Sequence, residues 1–200
     1  MTLQPDARPV AAGAELLERA LSFTRGALAL VTPGLMVAPT PCEGWDLRQL
    51  LEHMDDSLAA LHEAAAFGRV ALTPDLTPVA ADEPAVVTSL RRRGCSLLGS
   101  WSRLDRDQPV AVGAHWTPAS TVALAGALEV AVHGWDVARA CGDLRPLPEE
   151  LAAALLPGVG AVISAGDRGV RFAPPVPVGP TRPAGERLLA ATGRPPDWSP

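Results

Sequence analysis

The chain is poor in several things, and each shortage narrows it. Its three cysteines, Cys42, Cys95 and Cys141, are an odd and widely spaced set with no C-x-x-C pair. That argues against a disulfide framework or a zinc ribbon and makes a reducing cytoplasm the expected compartment. The N-terminus, M-T-L-Q-P-D-A-R, lacks the basic start and apolar run of a secretory signal. The apolar stretch from Ala27 to Val37 is broken by Pro33 and Gly34 and is too short to span a bilayer. Lysine and tyrosine are absent. The 17 basic residues are therefore all arginine, outnumbered by 22 acidic residues for a net charge of −5, and scattered except at Arg91-Arg92-Arg93. Neither nucleic acid nor an acidic membrane surface is expected as a partner. There is no G-x-S-x-G and no local Cys/His signature, which weakens a serine or cysteine nucleophile. No strand alternation of useful length and no internal repeat appears.

What remains is helical. With 200 residues, 48% hydrophobic and 20% charged, the chain has the size and composition of one globular domain. Residues 1–200 are expected to form it, with a core over about 8–165 and a C-terminal extension over 166–200. Leu16, Leu17, Ala20, Leu21, Thr24, Leu28 and Val31 recur at helical spacing and predict a first helix over about 11–31, stopped by Pro33-Gly34. Asp46 and Gln49 form a capping-box pair opening a second helix that Gly68 closes. Its core stripe is Leu47, Leu50, Leu51, Met54, Leu58, Leu61 and Ala65.

A Pro-containing loop over 73–81 leads to a third helix near Asp82-Glu83-Pro84, with Asp82 as its cap and Val86, Leu90, Leu97 and Trp101 facing inward. Gly94 on the same side permits close helix approach. Residues 105–115 read as irregular, with Val110 to Val112 at most a short extended piece. Thr117-Pro118 caps a fourth helix that Gly142 ends and that, apolar nearly all round, must be the most buried. A fifth helix is expected over 148–163, a Pro/Gly-rich crossing over 168–183, and a last short helix over 186–192. The fold class is all-α: a four-helix bundle with C-terminal additions.

The fourth helix carries the chemistry. Its stretch A-L-A-G-A-L-E-V-A-V-H-G-W-D-V-A is interrupted only by Glu129, His133 and Asp136. Spacings of four and three put these on one stripe, and ionisable groups in an apolar helix are costly unless paired or bound. Glu129 and His133 are placed to share a metal ion, with a third ligand from another helix. Helix two offers His53 and His62 on opposite flanks of its apolar stripe, and periodicity does not choose between them. Three ligands and an open position suit a catalytic divalent ion such as Zn²⁺. Asp136 is placed to orient an imidazole as a supporting carboxylate.

The plainer readings are a metal-free Glu129–His133 pair, or a histidine favoured by the helix C-terminus. Cys42 reads as a ligand or reactive thiol, or more plainly as a small buried residue. Arg93 could hold an anionic substrate, or simply extend into solvent. Asp55-Asp56 and Glu149-Glu150 read as solvated faces, and His115 as a loop residue.

Two motifs then carry a resemblance. T-P-C-E-G-W-D-L-R-Q-L-L-E-H-M (Thr40 to Met54) and A-L-E-V-A-V-H-G-W-D-V-A-R-A-C-G (Ala127 to Gly142) resemble the second- and fourth-helix signatures of the N-terminal domain of mycothiol-dependent maleylpyruvate isomerases. The ending, E-R-L-L-A-A-T-G-R-P-P-D-W, is similar to the tail of that group's short members. The resemblance implies a DinB-like four-helix bundle and a metal triad of His53, Glu129 and His133, so it is the motif that selects His53 over His62. It further implies a divalent ion (Zn²⁺, with Ni²⁺ or another ion as alternatives) and mycothiol as a co-substrate. The expected function is a small thiol-dependent transferase or isomerase acting on an electrophilic metabolite. The alternatives are a non-catalytic metal-binding or regulatory module, and a metal-free ligand-binding bundle. A monomer and a homodimer are both compatible with the sequence.

Overall fold

The computed structural model describes residues 8–70 and 83–200. The expected loop over 73–81 and the Asp82 cap lie outside them. Four long helices form the body: α1 (Arg8–Leu28), α2 (Leu47–Phe67), α3 (Glu83–Trp101) and α4 (Ala119–Ala140). α1 runs along α4, α2 packs against both α3 and α4, and α1 meets α3 over a shorter seam. The apolar stripes read from the sequence are the core: the seven α2 residues, together with Val86, Leu90, Leu97 and Trp101, are all buried.

Local chemistry sets the helix ends. The Asp46 side chain accepts from the Gln49 backbone N–H at 2.9 Å while Gln49 Oε1 accepts from the Asp46 N–H at 3.0 Å, the reciprocal capping box. Gly68 closes α2 at φ +66°, where a side chain would be strained. α1 starts and ends about three residues earlier than the periodicity suggests, and Pro33–Leu35 then forms a single 3-10 turn.

α4 is buried along most of its length, and the α1–α4 approach explains how. A Cβ built on Gly134 would stand 2.1 Å from Thr24 Oγ1, so only glycine lets the backbones come this close. Thr24 Oγ1 donates to the Val130 carbonyl across the same seam at 2.8 Å. This satisfies a buried hydroxyl that would otherwise be costly.

Several sequence expectations give way. The region before α4 is not irregular: β1 (Arg69–Val70), β2 (Pro109–Val112) and β3 (His115–Pro118) form a small sheet in the order β1-β2-β3. β1 and β2 are parallel, with Arg69 opposite Ala111. β2 and β3 are antiparallel, with Pro109 opposite Pro118 and Val112 opposite His115. These strands are too short to display an alternation, and only Val110 among them is fully buried, so hydrophobic patterning is silent on them. His115 is therefore a strand residue.

Thr117 does not cap α4 by its side chain; the helix begins after Pro118. Asp107 does that work from the loop before β2, accepting from the Ser120 N–H at 2.8 Å and its hydroxyl at 2.7 Å. A carboxylate there complements the positive helix end.

The expected fifth helix is broken. α5 (Glu149–Leu155) passes through a 3-10 turn at Leu156–Gly158 into the single turn α6 (Val159–Val162). Pro157 accounts for the break, since its ring displaces the preceding carbonyl and it offers no N–H. α7 (Ala184–Ala191) buries Leu188 and Leu189. Glu149 is not simply solvated: it accepts from the N–H groups of Ala184 at 2.6 Å and Gly185 at 3.2 Å, pinning α7 to α5. Asp55, expected on a solvated face, is 1% exposed and paired with Arg93. Among the described residues no helix is long and apolar enough to cross a membrane.

Candidate metal centre

The site lies where α2 and α4 face each other. His53 Nε2 is 2.7 Å from Glu129 Oε1, and His133 Nε2 is 3.2 Å from the same oxygen. Ser57, one turn past His53, donates its hydroxyl to that oxygen at 3.0 Å. The two imidazoles stand nearly perpendicular, with centroids 5.1 Å apart. Trp45, from the loop before α2, meets His53 in an edge-type ring contact with centroids 4.9 Å apart. The helical spacing of Glu129 and His133 puts both on the face turned to α2. There the capping box starts α2 so that His53 arrives opposite them. His62 lies two and a half turns further along α2 and meets Ser100 at 3.2 Å, apart from this cluster.

A second layer surrounds His133. Its Nδ1 is 2.9 Å from Asp136 Oδ2. That carboxylate oxygen also accepts from the Cys42 thiol at 3.2 Å and from Arg194 Nη2 at 3.1 Å, and the same Arg194 nitrogen lies 3.1 Å from Cys42 Sγ. Asp136 is fully buried and Arg194 only 8% exposed. Cys42 is held by a turn in which Thr40 Oγ1 donates to the Trp45 carbonyl at 2.9 Å and accepts from the Cys42 N–H at 3.1 Å. The resemblance called attention to this T-P-C-E-G-W-D segment, and its fold explains the residue choice: the threonine ties the loop that delivers both Cys42 and Trp45.

The charges are mutually supporting. Burial opposes ionisation of Glu129, but the adjacent His133 and the hydrogen bonds from both histidines hold its carboxyl well below the usual range. Burial likewise opposes a proton on His133, yet Glu129, with Asp136 and Cys42 bonded to the ring, pushes it well above the usual value. Asp136 is held down, against burial, chiefly by the Arg194 charge. Arg194 in turn is kept charged, against burial, by Asp136.

Among the described residues, two clusters have the donor atoms for a metal: His53, Glu129 and His133, and separately Cys42, His133 and Asp136. They are not equivalent. In the second, the Arg194 guanidinium already lies against the sulfur and the carboxylate and supplies the positive charge. In the first, His133 Nδ1–H donates its hydrogen bond to the Asp136 carboxylate. A neutral His133 then turns its Nε2 lone pair toward Glu129 Oε1, two acceptors facing each other at 3.2 Å. That arrangement calls for a proton or a cation between them, and a third donor, His53, converges on the same point. Two imidazole nitrogens and a carboxylate suit a borderline divalent ion, and Asp136 on Nδ1 is the usual support for a ligating histidine.

Arg93 is brought to Asp55, with Nε to Oδ1 at 2.9 Å, and not to this cluster. The residue that sequence reasoning missed is Arg194. It follows α7, where Gly193 at φ +85° turns the chain back and the Arg194 N–H bonds the Leu189 carbonyl at 2.9 Å. The only signal for it was the family-like tail in which it sits, since nothing local distinguishes one tail arginine from another. A small cavity of about 30 Å³, lined among others by Glu129, His133, Phe172 and Arg194, separates this tail from α4. It is large enough for about one water molecule.

Residues 17–138 match the sequence model of the mycothiol maleylpyruvate isomerase N-terminal domain. Among solved structures, the mycothiol-dependent maleylpyruvate isomerase is similar at a TM-score of 0.58 and 18% identity, over 75% of this chain and 69% of that one. A histidine-to-alanine variant of that enzyme aligns over the same shares with a TM-score of 0.56 and 19% identity. At these identities the likeness is one of fold. No curated protein matches the chain.

Proposed function

The chain belongs to the mycothiol maleylpyruvate isomerase N-terminal domain family, and from that membership we propose that it is a divalent-metal enzyme using a low-molecular-weight thiol, mycothiol or a close relative, on a small electrophilic metabolite. The observation that carries the proposal is the convergence of His53 Nε2, His133 Nε2 and Ser57 Oγ on a single oxygen of Glu129. His53, Glu129 and His133 would hold the ion, with Zn²⁺ the first candidate and Ni²⁺ an alternative. A bound ion would supply Lewis-acid chemistry, lowering the pKa of a thiol or polarising a carbonyl.

The protein's own groups have definable tasks. Asp136 accepts the hydrogen bond of His133 Nδ1–H, so that an ion replacing the proton on Nε2 would meet a lone pair directed at the site. Arg194 keeps Asp136 ionised so that it accepts the Nδ1–H hydrogen bond without taking the proton. Trp45 fixes the more exposed His53 ring, and Ser57 orients the Glu129 carboxylate. In the reaction, the thiol sulfur would add to an electron-poor alkene carbon as the C=C π bond opens, and the resulting enolate would take up one proton for the one the thiol released. An isomerase would lose that proton and expel the thiol again, restoring the double bond, and a transferase would stop at the adduct. We extend the proposal to the chain's organisation: residues 166–200 act with the bundle as one unit, because they carry Arg194.

The reading of a closed, non-catalytic metal site is less well supported. It would need Cys42 as a fourth ligand, and the Cys42 sulfur is engaged with Asp136 and Arg194. Elemental analysis of the purified protein tests the proposal. About one divalent ion per chain is expected, falling to near zero in both His53→Ala and His133→Ala. Unchanged metal content in either variant sinks the site. Mycothiol should raise the melting temperature of the metal-loaded protein only. An equal rise in the chelated protein would remove the metal from the thiol's binding.

A further inference from the structure

A second binding feature lies away from the tail and the histidines. Because α1 is committed to α4 and α3 to α2, the α1–α3 seam is incompletely closed, and a cavity of about 270 Å³ opens between them. Its walls are apolar, from Leu21 and Leu28 of α1, Met54 and Leu58 of α2, and Leu90 and Leu98 of α3. Its inner end reaches Thr24, Ser57 and Glu129, but the hydroxyls there are already used, Thr24 on Val130 and Ser57 on Glu129. Glu129 brings a carboxylate to that inner end, held by His53, His133 and Ser57, so the positive charge lies at the rim.

The rim is polarised along its length. α1 and α3 run antiparallel, since Leu21 lies beside Gly94 while the Leu28 carbonyl lies beside Arg91. Arg25 of α1 and Arg91 of α3 therefore share one end, and Glu18, two turns before Arg25, lies toward the other, roughly 10 Å away along the helix. Arg91 spends one nitrogen on the Leu28 carbonyl at 3.4 Å and keeps further donors, for a guanidinium has five N–H groups. The C-terminal carbonyls of α1 contribute only about half a negative charge, against two full positive ones.

We infer that this cavity is a binding site for a small monocarboxylic acid with an apolar body, its carboxylate held between Arg25 and Arg91 and its aliphatic or aromatic portion among the leucines. The volume equals that of about nine water molecules, which suits a body of about eight to ten carbons. The proposal requires neither a metal nor a thiol, so it stands or falls separately from the proposed function. Cys95 gives it a direct probe, because this exposed thiol lies on the cavity wall.

The test uses octanoate, octanol and octylamine below their aggregation limits, with Cys95 alkylation followed by peptide mass mapping and binding followed by calorimetry. Octanoate should bind, slow Cys95 alkylation and leave Cys141 unaffected. Octanol should bind at least about tenfold more weakly and octylamine more weakly still, as expected for a charge-assisted contact. Gly94→Leu should abolish binding by filling the cavity, where its Cβ would meet only the flexible end of Leu21, at 3.1 Å. Leu98→Phe is the second filling variant should the first fail to fold. The double variant Arg25→Gln with Arg91→Gln should erase the preference for octanoate over octanol. Equal affinity for octanoate and octanol overturns the proposal, as does binding that survives both filling variants. Octanoate binding that disappears on chelation would also overturn it, by making the metal the carboxylate's partner.

Discussion

Helix α4 presents two different faces to its neighbours, and the contrast separates stability from chemistry. Toward α1 it offers small residues: Gly134 beneath Thr24, and Ala123 beneath Gly13. That seam is tight, and the buried Thr24 hydroxyl within it is satisfied by the Val130 carbonyl. Toward α2 and the C-terminal tail the same helix offers Glu129, His133 and Asp136, each sharing its atoms among several partners. The first seam is held by close packing, which depends on volume. The second is held by charges that balance only when every partner is present. A change of volume should therefore be felt at the first, and a change of charge, pH or metal at the second.

The sharpest break in that contrast comes at Arg194. Replacing it by Met leaves the Asp136 carboxylate buried without its cation, which costs about 3 kcal/mol or more in typical cases. Urea denaturation should register that loss, together with faster alkylation of Cys42. A loss under about 1 kcal/mol would mean that the tail arginine does not sustain Asp136.

Next is Gly134→Ala. Alanine is the better helix former by about 1 kcal/mol, yet the added methyl has no room against Thr24, and overpacking costs about 1–3 kcal/mol. Net destabilisation is expected, equal with and without chelator. A stabilised variant would show that α1 can move away from α4.

Asp136→Asn isolates the second seam's chemistry. It keeps the shape while removing the charge behind His133, so metal affinity should fall about 10–100-fold. Competition against a chromogenic chelator measures this, and an unchanged affinity would detach Asp136 from the metal-binding role.

Smaller effects belong to the periphery. Hydrogen bonds from the Ala184 and Gly185 backbones hold Glu149 below its ordinary pKa. A carboxyl depressed in the folded state contributes stability that is present above its unfolded pKa and is lost as the pH falls through the folded one. Glu149→Gln should therefore lower the melting temperature at neutral pH, with the difference closing in acid. A gap that persists in acid would attribute the effect to packing. Burial and the neighbouring Asp143 push the Cys141 thiol up to about 11. At pH 8 roughly one molecule in a thousand would carry the reactive thiolate, so Cys141 should alkylate far more slowly than exposed Cys95. Comparable rates would mean that Cys141 is more accessible than its surroundings imply.

Much of this molecule is written in local pattern. The stripe from Leu47 to Ala65, the Asp46–Gln49 capping box and the stop at Gly68 are legible because each rests on spacings of three or four residues along one helix. The same periodicity makes Glu129, His133 and Asp136 neighbours. It does not choose between His53 and His62, since one helix's pattern says nothing about how its flanks meet another helix; the family motif made that choice, and packing brings His53 to Glu129. Of the short strands around Val110, the sequence offered only a short extended piece at Val110 to Val112, because four residues do not display a period.

By itself, then, the sequence determined the helices, their buried faces and the polar stripe of α4, all properties of residues within a turn or two of each other. The tertiary structure alone decided that Arg194, 58 positions beyond Asp136, supplies the charge that keeps it ionised. It alone decided that Arg93 is spent on Asp55, and that α1 and α3 part to leave a cavity with two arginines at one end. Those outcomes depend on distances between segments far apart in the chain, set by which faces pack most closely, and no local pattern encodes them.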